Sequence, residues 1–267
     1  MLENLKLFHY AVYAGLLVSL FGAVAGAHVI QRRIIFVGVA LSQLAAAGVA
    51  LGLLLGINES LGAALMTLAG VALISLFGNS KRLGEGGLIG VMYAAGGGLL
   101  ILLLSKAGHE SEVSDILFGN ITAVTFPILL QALVMIPAVL LFFGLFNKEL
   151  ALLSFDPEMA RASGYRAGWW NFLFYTALGL GLAAAIKTAG LLFVFGALIL
   201  PVLTVVQLIN RNRWIVPAAF VLGALSYIAA LLISIAKDLP TGALTVAIET
   251  GLLLAAMLIA KLRRHAD

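Results

Sequence analysis

Two stretches of the chain, 190-209 (GLLFVFGALILPVLTVVQLI) and 214-236, run for about twenty residues each without one charged side chain. A run of that length matches the roughly 30 Å hydrocarbon core of a bilayer when it is helical, at 1.5 Å per residue. Neither shows the alternation of polarity that a barrel strand of about ten residues requires. Within lipid only helices and closed barrels satisfy their own backbone hydrogen bonds. The expected fold is therefore an all-α, polytopic transmembrane bundle.

Composition agrees with lipid as the main solvent. Hydrophobic residues make up 63% of the 267, charged residues only 10%, and mean hydropathy is +1.12. Soluble domains use about 45–50% apolar and about 25% charged residues. Cysteine is absent, which excludes disulfides, thiolate metal sites and cysteine nucleophiles. Residues Met1 to Phe8 carry Lys6 as their one cation, and no small-residue cleavage pattern follows the first apolar run, so that run reads as a retained span.

Charges punctuate nine candidate spans: 9-30, 34-56, 61-77, 86-104, 125-146, 170-186, 190-209, 214-236 and 243-260. Alternating them collects Arg32, Arg33, Lys81, Arg82, Lys148, Arg161, Arg166, Arg211, Arg213, Lys261, Arg263 and Arg264 on one side. Lys6, Lys106, Lys187 and Lys237 fall on the other. Positive residues favour the cytoplasmic side, so the expected topology is N-out and C-in in a prokaryotic plasma (inner) membrane. Spans three and six are short, near the lower limit for crossing, and either could be a partial or broken helix inside the bundle, which leaves eight spans as an alternative to nine.

A single transmembrane domain over 1-267 is expected. The glycine clusters Gly84-Gly86-Gly87-Gly90 and Gly96-Gly97-Gly98 lack the Gly-Lys-Ser/Thr ending of a phosphate loop, so ATP hydrolysis has to come from another chain. Small residues let helices approach in lipid, and Gly15, Gly22 and Gly26 form one such face.

Between spans five and six lies Phe155-Asp156-Pro157-Glu158-Met159-Ala160-Arg161-Ala162-Ser163-Gly164. Asp156 suits an N-cap, Pro157 the first helical position, Glu158 the positive dipole end and Gly164 the terminating turn. From its residues alone this short polar helix has two readings: a helix resting on lipid headgroups, or one that docks on a cytosolic motor subunit, with Phe155 and Met159 as anchors and Glu158 and Arg161 as orienting charges.

Several segments together resemble the permease family of ATP-binding-cassette importers for zinc, manganese and iron. They are 26-33 (GAHVIQRR) with 38-43 (GVALSQ) and 48-52 (GVALG), 85-90 (EGGLIG), 117-125 (LFGNITAVT), Ala189-Gly190 with 196-201 (GALILP), and Asp238-x-Pro240-x-Gly242 in the last external turn. The resemblance identifies Asp156 to Gly164 as the coupling helix. It implies a permease dimer, a pair of cytosolic ATPases that hold ATP and magnesium, an extracytoplasmic binding protein, and no cofactor on this chain. It implies no nucleic acid partner. In the external LFG motif Asn120 stands where an aspartate is common. In span two the family's aspartate and histidine correspond to Val39 and Gln43, neither a good ligand for a divalent cation.

Glu249 is the one acid deep in a span, and intramembrane acids mark pathways or partners. It is expected to line the pathway or the permease–permease interface, the alternative being a local bond to Thr245, Thr250 or backbone. His109, Glu110 and Glu112 are candidate metal ligands in an external loop, which otherwise is simply solvated. A structural hydrogen bond is expected for His28. Pro127, Pro137, Pro201 and Pro217 are expected at kinks, either hinges or fixed by packing. The other functional classes are an ion-gradient carrier with Glu249 as its ion site, and a membrane scaffold; the chain is not expected to be an enzyme.

Overall fold

A computed structural model describes residues 2–78, 84–107, 124–209, 211–237 and 239–266. Its elements are α-helices: α1 Leu2–Gln31, α2 Ile35–Leu55, α3 Glu59–Phe77, α4 Gly84–Ala107, α5 Phe126–Leu145, α6 Asn147–Phe155, α7 Pro157–Ala162, α8 Ala167–Ala189, α9 Leu191–Leu208, α10 Asn212–Lys237 and α11 Thr241–Ala266. Among the described residues nine helices, all but α6 and α7, are long and apolar enough to cross a membrane.

Spans three and six are not the short or broken helices that charge spacing implied. α3 runs for 19 residues and α8 for 23. Their ends are recruited from polar and amphipathic residues that a count of apolar ones leaves out. Asn58 Oδ1 accepts from the amides of Ser60 and Leu61, which draws Glu59 and Ser60 into α3. In α8 the additions are Ala167, Gly168 and Trp169 before the expected start and Lys187, Thr188 and Ala189 after the expected end, with Trp169 at the place where aromatic residues meet the interface.

α2 packs between α3 and α4, while α9 packs on α1, α10 and α11. α8 joins the two groups through α3, α5, α2 and α1. The glycine face of α1 is the seam of the second group. A Cβ on Gly22 or Gly26 would run into the backbone carbonyls of Ala197 and Leu198 on α9. Pro201 has no amide for the carbonyl four residues before it, and that carbonyl, Ala197 O, is the one that faces Gly22. Gly15 lies against the ring of Tyr227, whose hydroxyl donates to Ala11 O at 2.8 Å.

Two polar clusters mark the two ends of the bundle. Arg32, after α1, donates to Ser154 on α6 and Asn171 on α8. At the other end Lys187 Nζ stands 3.2 Å from Glu59, a cation at the C-terminal end of α8 facing an acid at the start of α3. The α1–α2 turn therefore shares an end with α6, α7 and the start of α8, as alternating spans require.

Candidate functional site

The α6–α7 corner is built from local sequence. Asp156 ends α6 and caps α7, its Oδ1 accepting from the Met159 amide at 2.9 Å, and Pro157 occupies the first turn. Ser163 is the C-cap. Gly164 follows with φ +87, a left-handed conformation open to glycine, and its amide donates to Arg161 O at 3.0 Å. Ala160 is fully buried beneath the helix and accepts from the Tyr165 amide, whereas Phe155 and Met159 are 69% and 58% exposed. Glu158 and Arg161 are exposed as well. Two large apolar side chains held out on a preformed, charged corner leave little ordering entropy to be lost if a partner binds there.

Val39 and Gln43 lie one turn apart on α2, on the side of α4. Val39 borders a cavity of about 670 Å³ with Phe36, Gly90, Tyr93 and Phe195. Gln43 packs against Gly96, and Gly97 is also close to its amide oxygen. That oxygen is buried and has no hydrogen-bond partner among the described residues. The groove beside Val39 on α2 is thus bordered by apolar side chains, by Gly90 of α4 and by the cation Arg33, while Gln43 packs one turn further along against α4. A donor set for a bare cation is not there: among the described residues no group of three or more His, Asp or Glu side chains comes together.

Glu249 is fully buried inside the chain, close to Gly196 of α9 and Gly223 of α10. Ser19 of α1 and Pro201 of α9 border the same glycine, Gly223. Both carboxyl oxygens lack hydrogen-bond partners among the described residues. The local bond to Thr245 or Thr250 is thus not made; Thr245 Oγ1 donates to Thr241 O at 2.8 Å instead. Within this chain α9 and α10 enclose the carboxyl group. Phe195 borders the Val39 cavity while Gly196 backs on Glu249, so α9 stands between the two.

His28 also departs from expectation. Its Nδ1 is buried without a hydrogen-bond partner, and the ring is held by stacking on Phe143, centroids 5.2 Å apart. The last turn is stapled by Ser234, which donates to Leu239 O and accepts from Thr241 Oγ1 at 2.9 Å. Pro240 is exposed in that turn and Gly242 buried. Asp238, His109, Glu110, Glu112 and Asn120 lie outside the described residues. Pro137, Pro201 and Pro217 lie inside α5, α9 and α10, and Pro127 in the first turn of α5. Sequence reasoning counted Arg32 only as a cation; its reach to α6 and α8 has no local signature, since its partners are more than a hundred positions away.

Comparison with known proteins agrees with this architecture. Residues 4–260 match the ABC 3 transport family. The manganese transport system membrane protein MntC of Listeria monocytogenes is 30% identical over 250 residues, covering 94% of this chain and 89% of the relative. The manganese import system permease protein ScaB of Streptococcus gordonii is 28% identical and covers 99% and 96%. Among solved structures, PsaBC from Streptococcus pneumoniae in complex with Fab superposes with a TM-score of 0.85 at 24% identity, over 98% of both chains, and so shares the fold. Nine apolar helices, a family match over nearly the whole length and relatives that are transport-system membrane subunits lead to one conclusion: the chain belongs to the ABC 3 transport family and is a multi-pass plasma-membrane permease subunit of an ATP-binding-cassette importer, not an enzyme.

Proposed function

We propose that this permease carries a divalent metal, manganese or iron in the first place and zinc by family resemblance, either as the ion or as a small complex. It works as a permease dimer above two cytosolic ATPases and receives substrate from an extracytoplasmic binding protein. The observation that supports coupling is the α6–α7 corner, a capped helix with Phe155 and Met159 exposed at one end of a bundle that is otherwise apolar. The relatives' names supply the metal: two are manganese permeases, and a third, from Haemophilus influenzae and 28% identical, is a probable iron transport system membrane protein. Val39 and Gln43, in place of charged ligands, favour passage of a metal that keeps some of its own ligands, because neither side chain replaces a hydration shell well.

The test is uptake of radiolabelled Mn2+ and Fe2+ into proteoliposomes holding the chain with its ATPase and binding protein. Accumulation is expected only with ATP and all partners present. The second reading, a carrier driven by an ion gradient, is favoured by the unpaired Glu249; uptake by the chain alone under an imposed proton gradient would establish it and end the ABC reading.

In this reading Glu249 lines or gates the pathway from within α9, α10 and α11. Glu249→Leu is expected to lower uptake by about tenfold, within the usual range of a coupling free energy, because it removes the polar head from the pathway, while Glu249→Gln keeps more of it. Wild-type uptake by both variants would remove any special role for the carboxyl group.

The N-out, C-in topology places α6, α7 and the α1–α2 turn in the cytosol. A chain without native cysteine makes this simple to check. Ser163→Cys should react with an impermeant maleimide only in inverted vesicles, and Ser111→Cys only in intact cells. The opposite pattern reverses the orientation.

A further inference from the structure

We propose that Arg32 is a positioning residue for coupling, the strut through which displacement of α7 reaches the α1–α2 turn and the groove on α2. The inference rests on α7 being the docking helix.

Each of the three guanidinium nitrogens donates to an oxygen, and the three acceptors come from two elements. Nε donates to Ser154 Oγ at 3.0 Å, Nη1 to Asn171 Oδ1 at 3.0 Å and Nη2 to Leu150 O at 3.3 Å. Its plane lies over the ring of Phe174, 4.0 Å from the centroid. Ser154 immediately precedes Phe155 at the end of α6, and Asn171 sits in the second turn of α8. Arg32 therefore grips the chain just before the docking helix and just after it. α7 hangs between two elements that one side chain holds together.

The other side of the strut is rigid too. Arg32 N donates to His28 O, Arg33 N to Ile30 O and Ile34 N to Val29 O, all at 3.0–3.1 Å. Arg33 is the one non-glycine residue with positive φ among the described residues, +59. That turn leads directly into α2, and Val39 comes five residues into the helix, roughly 6 Å along its axis at 1.5 Å per residue. Beneath the guanidinium, Phe174 meets Phe143 edge to face at 5.7 Å and His28 stacks on Phe143, so α5 is tied to the same joint. A planar fork with donors in fixed directions suits such a joint, and a lysine ammonium, a single point charge, cannot span the same three acceptors.

The experiment uses the reconstituted complex with a cysteine-free ATPase and a spin label at Gln31→Cys, an exposed position at the end of α1 beside the α1–α2 turn. It reads four quantities: ATPase co-purification, ATP hydrolysis, the ATP-dependent change in label mobility, and radiolabelled Mn2+ uptake per ATP. Arg32→Gln is expected to keep complex yield and hydrolysis, lose the label response, and lower uptake per ATP by about tenfold, within the usual range of a coupling free energy. Arg32→Lys should restore only part of the response. The double variant Ser154→Ala/Asn171→Leu, with Arg32 present, should reproduce the uncoupling, and it decides the matter if Arg32→Gln does not insert. A wild-type label response in both Arg32→Gln and the double variant overturns the strut, as does loss of hydrolysis and of label response in the same proportion as complex yield, which is a purely structural role. Glu158→Arg separates the two levels: if it leaves co-purification intact, the docking reading itself fails, whereas release of the ATPase by Glu158→Arg with a normal label response in Arg32→Gln sinks only the strut.

Discussion

Gly164→Pro should abolish ATP-driven uptake while leaving the chain in the membrane. Gly164 has φ +87 and its amide donates to Arg161 O. Proline locks φ near −65° and has no amide hydrogen, so it can keep neither the turn nor the bond. A cost of about 3 kcal/mol or more falls on a six-residue helix that has one side-chain cap, at Asp156, and one C-terminal turn to define it. The spans, each stabilised by its own apolar length, do not depend on this corner. Co-purification of the ATPase is expected to fall by about a hundredfold, since each 1.4 kcal/mol is a factor of ten. Glu158→Arg should act on docking without melting the helix, because the Asp156 cap persists and reversing one charge near a helix start costs only about 0.3–1 kcal/mol. Normal ATPase yield and normal stimulated hydrolysis in both variants would show that α7 rests on lipid headgroups rather than on a motor.

The second large effect is expected at the seam of α1 with α9. Gly26→Val places a branched side chain where Leu198 O already lies, and Gly22→Val does the same against Ala197 O. Overpacking a core against side chains costs about 1–3 kcal/mol because they can shift; here the obstacle is backbone, so the two helices must separate along their length. Separation also pulls Gly15 away from Tyr227 and strains the Tyr227 bond to Ala11 O, the long-range tie between α10 and α1. The expected outcome is loss of monodisperse protein after detergent extraction and a fall in Tm of whatever remains. Gly251→Val is the control, since nothing lies within 4 Å of the position its Cβ would take. Wild-type yield and Tm for Gly26→Val would mean that the seam is loose.

Much of this molecule was legible from residue order alone because lipid imposes so few solutions. An apolar run of about twenty residues with charged ends must become a spanning helix, and nine runs gave nine helices. The α7 corner was legible for a related reason: Asp156, Pro157, Glu158 and Gly164 act on backbone groups within a few positions of themselves, so capping chemistry is local. The glycine face of α1 was visible as spacing, although its partners on α9 were not.

The length of spans three and six was misjudged because helix ends are set by caps and interfacial aromatics rather than by hydropathy. Asn58 extends α3, and Trp169 at one end with Lys187 and Thr188 at the other extends α8, beyond their apolar cores. Glu249 was visible as an acid in hydrocarbon, but its surroundings, Gly196, Gly223 and Ser19, come from three different helices and no spacing rule connects them. The same holds for Gln43, whose unpaired oxygen is buried beside glycines fifty positions away on α4.

By itself, then, the sequence determined the spanning helices, the capped corner and the absence of a phosphate loop, since each follows from hydrophobic length or from residues within one or two turns. Only the tertiary structure decided which helices share a seam, that Glu249 faces inward without a partner, and that Arg32 closes on Ser154 and Asn171. Those are contacts between surfaces distant in the chain. Their register depends on where small residues let two backbones meet, and that is a property of the pair of helices rather than of either one.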